Sequence, residues 1–135
     1  IRQARRTRKI VGGGMRQAGV LAAAGHYALQ HHVRRLAEDH ARLDHLAQGL
    51  AEANRSHPAL QGKITVLPWQ TNILFTDLHA EVAPAFTAWL AQHGVRVTSS
   101  LYGGATRLRW VTHLDVSEAD VTAALDCVAH FTLPG

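Results

Sequence analysis

Residues 105–113 read ATRLRWVTH, and their alternation is the clearest secondary-structure signal in the chain. Period-two spacing puts Leu108, Trp110 and Thr112 on one side of a strand and Arg107, Arg109 and Val111 on the other. Four residues beyond His113, Ser117 offers a side-chain oxygen for a helix N-cap. Asp120 stands at the third helical position, a variant of the capping box. Val121, Leu125 and Val128 then face inward along a helix. A half-buried strand feeding an amphipathic helix calls for a sheet with helices packed on it.

The preceding residues supply the other layers. KITVL (63–67) and NILFTD (72–77) read as short strands on either side of a turn at Pro68. A helix is expected over Val82 to Gln92, with Phe86, Trp89 and Leu90 inward and Gly94 ending it at the C′ position. VRVTSS (95–100) is a further strand, and Tyr102-Gly103-Gly104 is a turn. Val33, Leu36, His40, Leu43, Ala47 and Leu50 recur at spacings of 3 and 4, one apolar stripe on a helix that fades at Asn54. Glu38 and Arg42 add an i,i+4 pair in the better orientation. Met15 to Leu29, rich in Ala, Leu, Gly and Val, reads as a helix buried on most sides. The order predicts the α/β class, in its α+β form: a small, mainly antiparallel sheet with helices packed on it, preceded by a helical segment.

The totals narrow the function classes. With 135 residues, 47% hydrophobic and 18% charged, the chain suits one domain with a buried core and is not disordered. No apolar run approaches the ~18 residues of a membrane span. The opening IRQARRTRKIV has charge but lacks the apolar run of a signal peptide. A lone cysteine, Cys127, rules out an internal disulfide and fits a reducing, cytoplasmic setting. The chain starts at Ile1 inside an arginine-rich segment, so it is expected to be the C-terminal portion of a longer protein. Residues 1–37 carry eight Lys or Arg and no carboxylate, so a strongly basic arm precedes a net acidic body. Such an arm suits nucleic acid, an acidic surface or a phosphate.

Three groups of residues could carry chemistry. RKIVGGGMRQAG (8–19) is not a dinucleotide fingerprint. Gly14 and Gly19 have P-loop separation, but Val20 and Leu21 stand where Lys and Ser or Thr would hold a nucleotide. What remains is a phosphate held by Arg16 and nearby N–H groups, or a flexible lead into a packed helix. The ten histidines include no i,i+3 or i,i+4 pair on a helix and none is joined by a second cysteine, so no metal site is expected. Cys127 reads as a buried, inert thiol. Arg107 and Arg109 share a strand face, either as two solvated arginines or with one forked onto a carboxylate. Spacing does not choose between them.

RKIVGGGMRQAGVLAAAGHYAL (8–29), RLAEDH (35–40), TNILF (71–75) and RWVTHLDVS (109–117) together resemble the C-terminal part of the low-specificity L-threonine aldolases. These belong to the β-eliminating lyase group of fold type I pyridoxal-phosphate enzymes. The resemblance runs along nearly the whole chain in the same order. It implies cleavage of L-threonine or L-allo-threonine to glycine and acetaldehyde, with pyridoxal 5′-phosphate as electron sink. It implies a cytoplasmic homo-oligomer, dimer or tetramer, acting on a small amino acid, with neither nucleic acid nor membrane as partner. Residues 1–30 would be the connecting segment and helix from the large cofactor-binding domain, and residues 31–135 the C-terminal small domain.

By the same resemblance, Arg109 heads the motif whose arginine holds the substrate carboxylate. Arg16 and Lys9 match the basic residues around the glycines, near the active-site entrance and on its phosphate side, where the arginine can approach the cofactor phosphate of a neighbouring subunit. The family's Schiff-base lysine, ring-stacking histidine and pyridine-pairing acid lie upstream and have no counterpart here. No catalytic residue is therefore expected within this chain, and His113 carries no catalytic role. The alternatives are a β-eliminating lyase for another amino acid, or a basic-armed module that binds nucleic acid through residues 2–16.

Overall fold

The computed structural model describes residues 1–133. These form two compact units, Ile1–Arg35 and the chain from Leu36 onward.

The first unit holds two helices, α1 (Arg2–Ile10) and α2 (Gly19–His31). Helix α1 lies in the basic run, where apolar periodicity gave no helix signal. It ends in a Schellman motif. The Gly13 N–H donates to the Arg8 carbonyl at 2.8 Å and the Gly12 N–H to the Lys9 carbonyl at 3.3 Å. Gly12 adopts φ +85°, the left-handed conformation that this closure demands. A Cβ on Gly13 would stand 2.7 Å from Arg8 Cγ and 2.9 Å from the Arg8 carbonyl oxygen. Two of the three glycines thus have a local reason to be glycine. Helix α2 starts at Gly19 rather than Met15, because Arg16 to Ala18 form a turn. Its expected burial is absent within this chain: neither helix carries a buried residue, and Val20, Leu21, Tyr27 and Leu29 are exposed. Two helices without a third layer have nothing to close a core around.

The second unit contains α3 (Leu36–Ser56), β1 (Ile64–Val66), β2 (Ile73–Leu78), α4 (Ala83–Gln92), β3 (Thr98–Tyr102), β4 (Ala105–Val111) and α5 (Glu118–Ala129). The four strands form one antiparallel sheet in the order β1-β2-β4-β3. Leu74, Thr76 and Leu78 of β2 and Leu108 and Trp110 of β4 are buried on the helix side. Against them pack Leu43, Leu46 and Leu50 of α3, Phe86 and Leu90 of α4, and Val121 and Val128 of α5. Each large side chain so buried contributes roughly 1.5–3 kcal/mol relative to exposure. The Trp89 indole N–H donates to the Cys127 carbonyl at 2.8 Å, tying α4 to α5. Phe86 meets Phe131 edge-on at 5.1 Å.

Local signals fix most boundaries. Ser117 and Asp120 form a full capping box at the start of α5, as the sequence predicts. Gly94, at φ +78°, closes α4 in a second Schellman motif, with the Val95 N–H bonded to the Leu90 carbonyl at 2.8 Å. That bond occupies the Val95 donor, and β3 begins at Thr98 rather than at Val95. Gly103 and Gly104, at φ +58° and +85°, make the two-residue turn between β3 and β4. Two successive positive φ values match the twist of a tight hairpin.

One buried cluster joins three distant segments. The Thr112 hydroxyl donates to the Asp39 carbonyl at 2.7 Å, tying the end of β4 to the first turn of α3. The Thr112 N–H donates to the Asn72 carbonyl at 3.0 Å, and the Asn72 side-chain amide donates to the Thr112 carbonyl at 2.8 Å. Thr112 is wholly buried and Asp39 nearly so.

Two outcomes are expected. Thr112→Val keeps the shape but leaves the Asp39 carbonyl without that donor, lowering unfolding stability by about 1–2 kcal/mol; urea denaturation of the chain measures it. Gly13→Ala breaks the closure of α1 at a local cost of about 1 kcal/mol, or roughly fivefold faster amide exchange at position 13. Exchange in α3 and β4 should not change in that variant.

Candidate functional site

The sheet has one face under the helices and one free of them. The second face carries Phe75 and Asp77 from β2, Arg107 and Arg109 from β4, and Thr98, Ser100 and Tyr102 from β3. The register sets Asp77 opposite Arg107 and Phe75 opposite Arg109. On the other side of β4, Ser100 pairs with Arg107 and Thr98 with Arg109.

The two arginines are in different states. Arg107 Nε donates to Asp77 Oδ1 at 2.6 Å, and its Nη2 donates to Oδ2 at 2.7 Å. This is a parallel two-bond fork, the strongest geometry open to the pair. The Tyr102 ring lies 4.1 Å from the guanidinium carbon and adds a cation–π contact. The hydrogen bonds from Arg107 hold the Asp77 carboxyl below the usual carboxylate range. Arg109 is exposed and has no ion-pair partner among the described residues. Its strand position is nonetheless firm. Leu108 and Trp110 on either side are buried, and the Trp110 indole N–H donates to the Thr76 hydroxyl at 3.0 Å. An open guanidinium on a rigid strand can hold a carboxylate at a fixed angle.

Lys9 and Arg16 belong to the first unit, on either side of the glycine turn. Both are exposed, and neither has an ion-pair partner among the described residues. Residues 1–35 contain no Asp or Glu, so nothing within the unit neutralises them. That donor set fits an anionic phosphate. Lys63 is engaged with Glu81 at 2.9 Å, and Lys9 lies on α1 beside the basic run.

Other candidates resolve into structure. Cys127 is half-buried rather than buried, and that partial burial still pushes its thiol up, away from the thiolate that nucleophilic chemistry needs. His113 Nδ1 accepts from the Asp115 N–H at 3.2 Å at the end of β4. No three His, Cys, Asp or Glu gather as a metal site among the described residues. No helix among them is long and apolar enough to cross a membrane. The sequence reading missed Asp77 and Tyr102 as neighbours of the arginine pair. Only the β2–β4 register and the hairpin turn bring them there.

Comparison with known proteins gives this arrangement a context. The family described as beta-eliminating lyase matches residues 1–77. The low specificity L-threonine aldolase of Escherichia coli (strain K12) is 41% identical over 117 residues, which is 87% of this chain and 31% of that protein. The probable low-specificity L-threonine aldolase 2 of Arabidopsis thaliana is 36% identical over 129 residues, 94% of this chain and 34% of that protein. The chain thus spans about a third of the length of the curated relatives it matches. The match begins at the basic helix, runs through the glycine turn and α3, and reaches Asp77 on the open sheet face; over more than half its length this chain belongs to the beta-eliminating lyase family.

Proposed function

We propose that the whole protein is a pyridoxal-phosphate-dependent threonine aldolase. It would cleave L-threonine or L-allo-threonine to glycine and acetaldehyde, as a cytoplasmic homo-oligomer. Within it, residues 1–30 form the connecting segment and residues 31–135 the small domain. The names of the similar Escherichia coli and Arabidopsis thaliana proteins support the substrate class. The observation that carries the reading is Arg109: a guanidinium open to solvent on a rigid strand, beside an arginine whose fork is already filled.

Pyridoxal phosphate, when bound, would supply a sink for the negative charge left at Cα as the Cα–Cβ bond breaks. The residues of this chain bind and orient. Arg109 takes the substrate carboxylate through two parallel N–H donors. Fixing both oxygens fixes the rotation about Cα and so the bond that is set to break. Arg16 and Lys9 would hold the cofactor phosphate by charge. No residue of this chain is assigned a proton-transfer or covalent role.

In the full-length protein, Arg109→Lys retains charge but loses the fork. It should lower kcat/KM for threonine by more than about tenfold, or ~1.4 kcal/mol, with cofactor affinity unchanged. Arg107→Lys should change it far less, and the reverse order would sink the assignment. Arg16→Ala should weaken pyridoxal-phosphate binding by about tenfold to a hundredfold, the worth of one charge-assisted contact. Cofactor titration of the full-length protein reads this directly, and unchanged affinity would return Arg16 to a structural role.

A further inference from the structure

Among the described strand residues of the open sheet face, three are charged: Asp77, Arg107 and Arg109. Their strand neighbours on that face, Phe75, Thr98, Ser100 and Tyr102, are uncharged. Asp77 uses both carboxylate oxygens on Arg107, at 2.6 and 2.7 Å, and Tyr102 covers the guanidinium at 4.1 Å. Arg109 stands two residues further along the same face, roughly 7 Å away by strand rise.

We propose that Asp77 limits this face to a single carboxylate, filling the Arg107 fork so that Arg109 alone accepts an anion and substrates bearing a second carboxylate are refused. The proposal rests on the reading of Arg109 as the carboxylate holder and adds to it a residue, Asp77, that sets specificity without touching the bound carboxylate. The charge balance gives the reason. With Asp77 ionised, the three groups leave one net positive charge, and one monocarboxylate neutralises it. A second carboxylate has two options. It can displace Asp77 from a bidentate, charge-assisted pair, or lie beside the Asp77 charge; both cost free energy. Without the Asp77 charge, the face presents two open forks on strand positions roughly 7 Å apart, within the reach of a five-carbon dicarboxylate.

The test is a titration of the 135-residue chain with acetate and with glutarate, following the Nε–Hε signals of both arginines by NMR. In the unsubstituted chain, Arg109 should respond to either anion while Arg107 stays fixed. Glutarate should bind within about threefold of acetate, the advantage of having two equivalent ends. In Asp77→Asn, both arginines should respond to glutarate, and its affinity should rise at least about tenfold above that of acetate. Asp77→Ser provides the same loss of charge with a smaller side chain should the asparagine variant fold poorly. Arg107 responding in the unsubstituted chain at the concentrations that move Arg109 would overturn the proposal. So would no gain for glutarate in either variant when Arg109 does respond to both anions. If Arg109 is silent throughout while Arg107 responds only in the variants, the blocking role of Asp77 stands and the assignment of Arg109 falls.

Discussion

The hydrogen bond from the buried Thr112 hydroxyl to the Asp39 carbonyl is the constraint on which the second unit depends. It fixes the end of the central strand β4 to the start of the longest helix. Asn72 locks the same threonine from the neighbouring strand with a reciprocal pair of bonds. Three segments that carry the family resemblance, RLAEDH, TNILF and RWVTH, therefore meet at one buried point. A strand held at its end in this way cannot slip by a residue without also losing the alternation that buries Leu108 and Trp110. The direction in which Arg109 points is set by atoms on the opposite side of the sheet.

Much of this fold was legible because its signals are local. The alternation in residues 105–113, the capping box at Ser117 and the glycine at 94 each act over a few residues, and each element stands where they put it, with β4 ending two residues short at Val111. The departures have equally local causes. Helix α1 carries no apolar stripe, so periodicity was blind to it. Strand β3 starts late, after the α4 cap that takes the Val95 donor. The glycines at 12 and 13 raised the question of a ligand, and the Schellman closure of α1 supplies an answer within the backbone itself. An anion on the neighbouring Arg16 is compatible with that closure, but the glycines do not require one.

The site was legible to the level of a face and no further. Sequence alternation sets Arg107 and Arg109 on the same side of β4. Which of them is open depends on Asp77, 30 residues away, and no local rule pairs those positions. The difference between two adjacent arginines is thus a property of strand register. Selectivity on such a surface arises as much from saturating the wrong donor as from offering the right one. The first unit follows the opposite rule: its basic residues have no carboxylate within residues 1–35, so any neutralising group comes from outside that segment.

The strand order β1-β2-β4-β3 also makes the sheet unequal at its two borders. On one border β1 is three residues long, and Pro68 follows two residues later without an amide proton. A border that short and interrupted is a poor template for another chain. On the other border β3 has five exposed residues, Thr98 to Tyr102, paired with β4 on one side and with no strand on the other among the described residues. Its composition, Thr-Ser-Ser-Leu-Tyr, carries neither the charge nor the proline that blunts an open border. The two borders are therefore unequal templates for an added strand: the hairpin edge is the better one and the β1 edge the poorer.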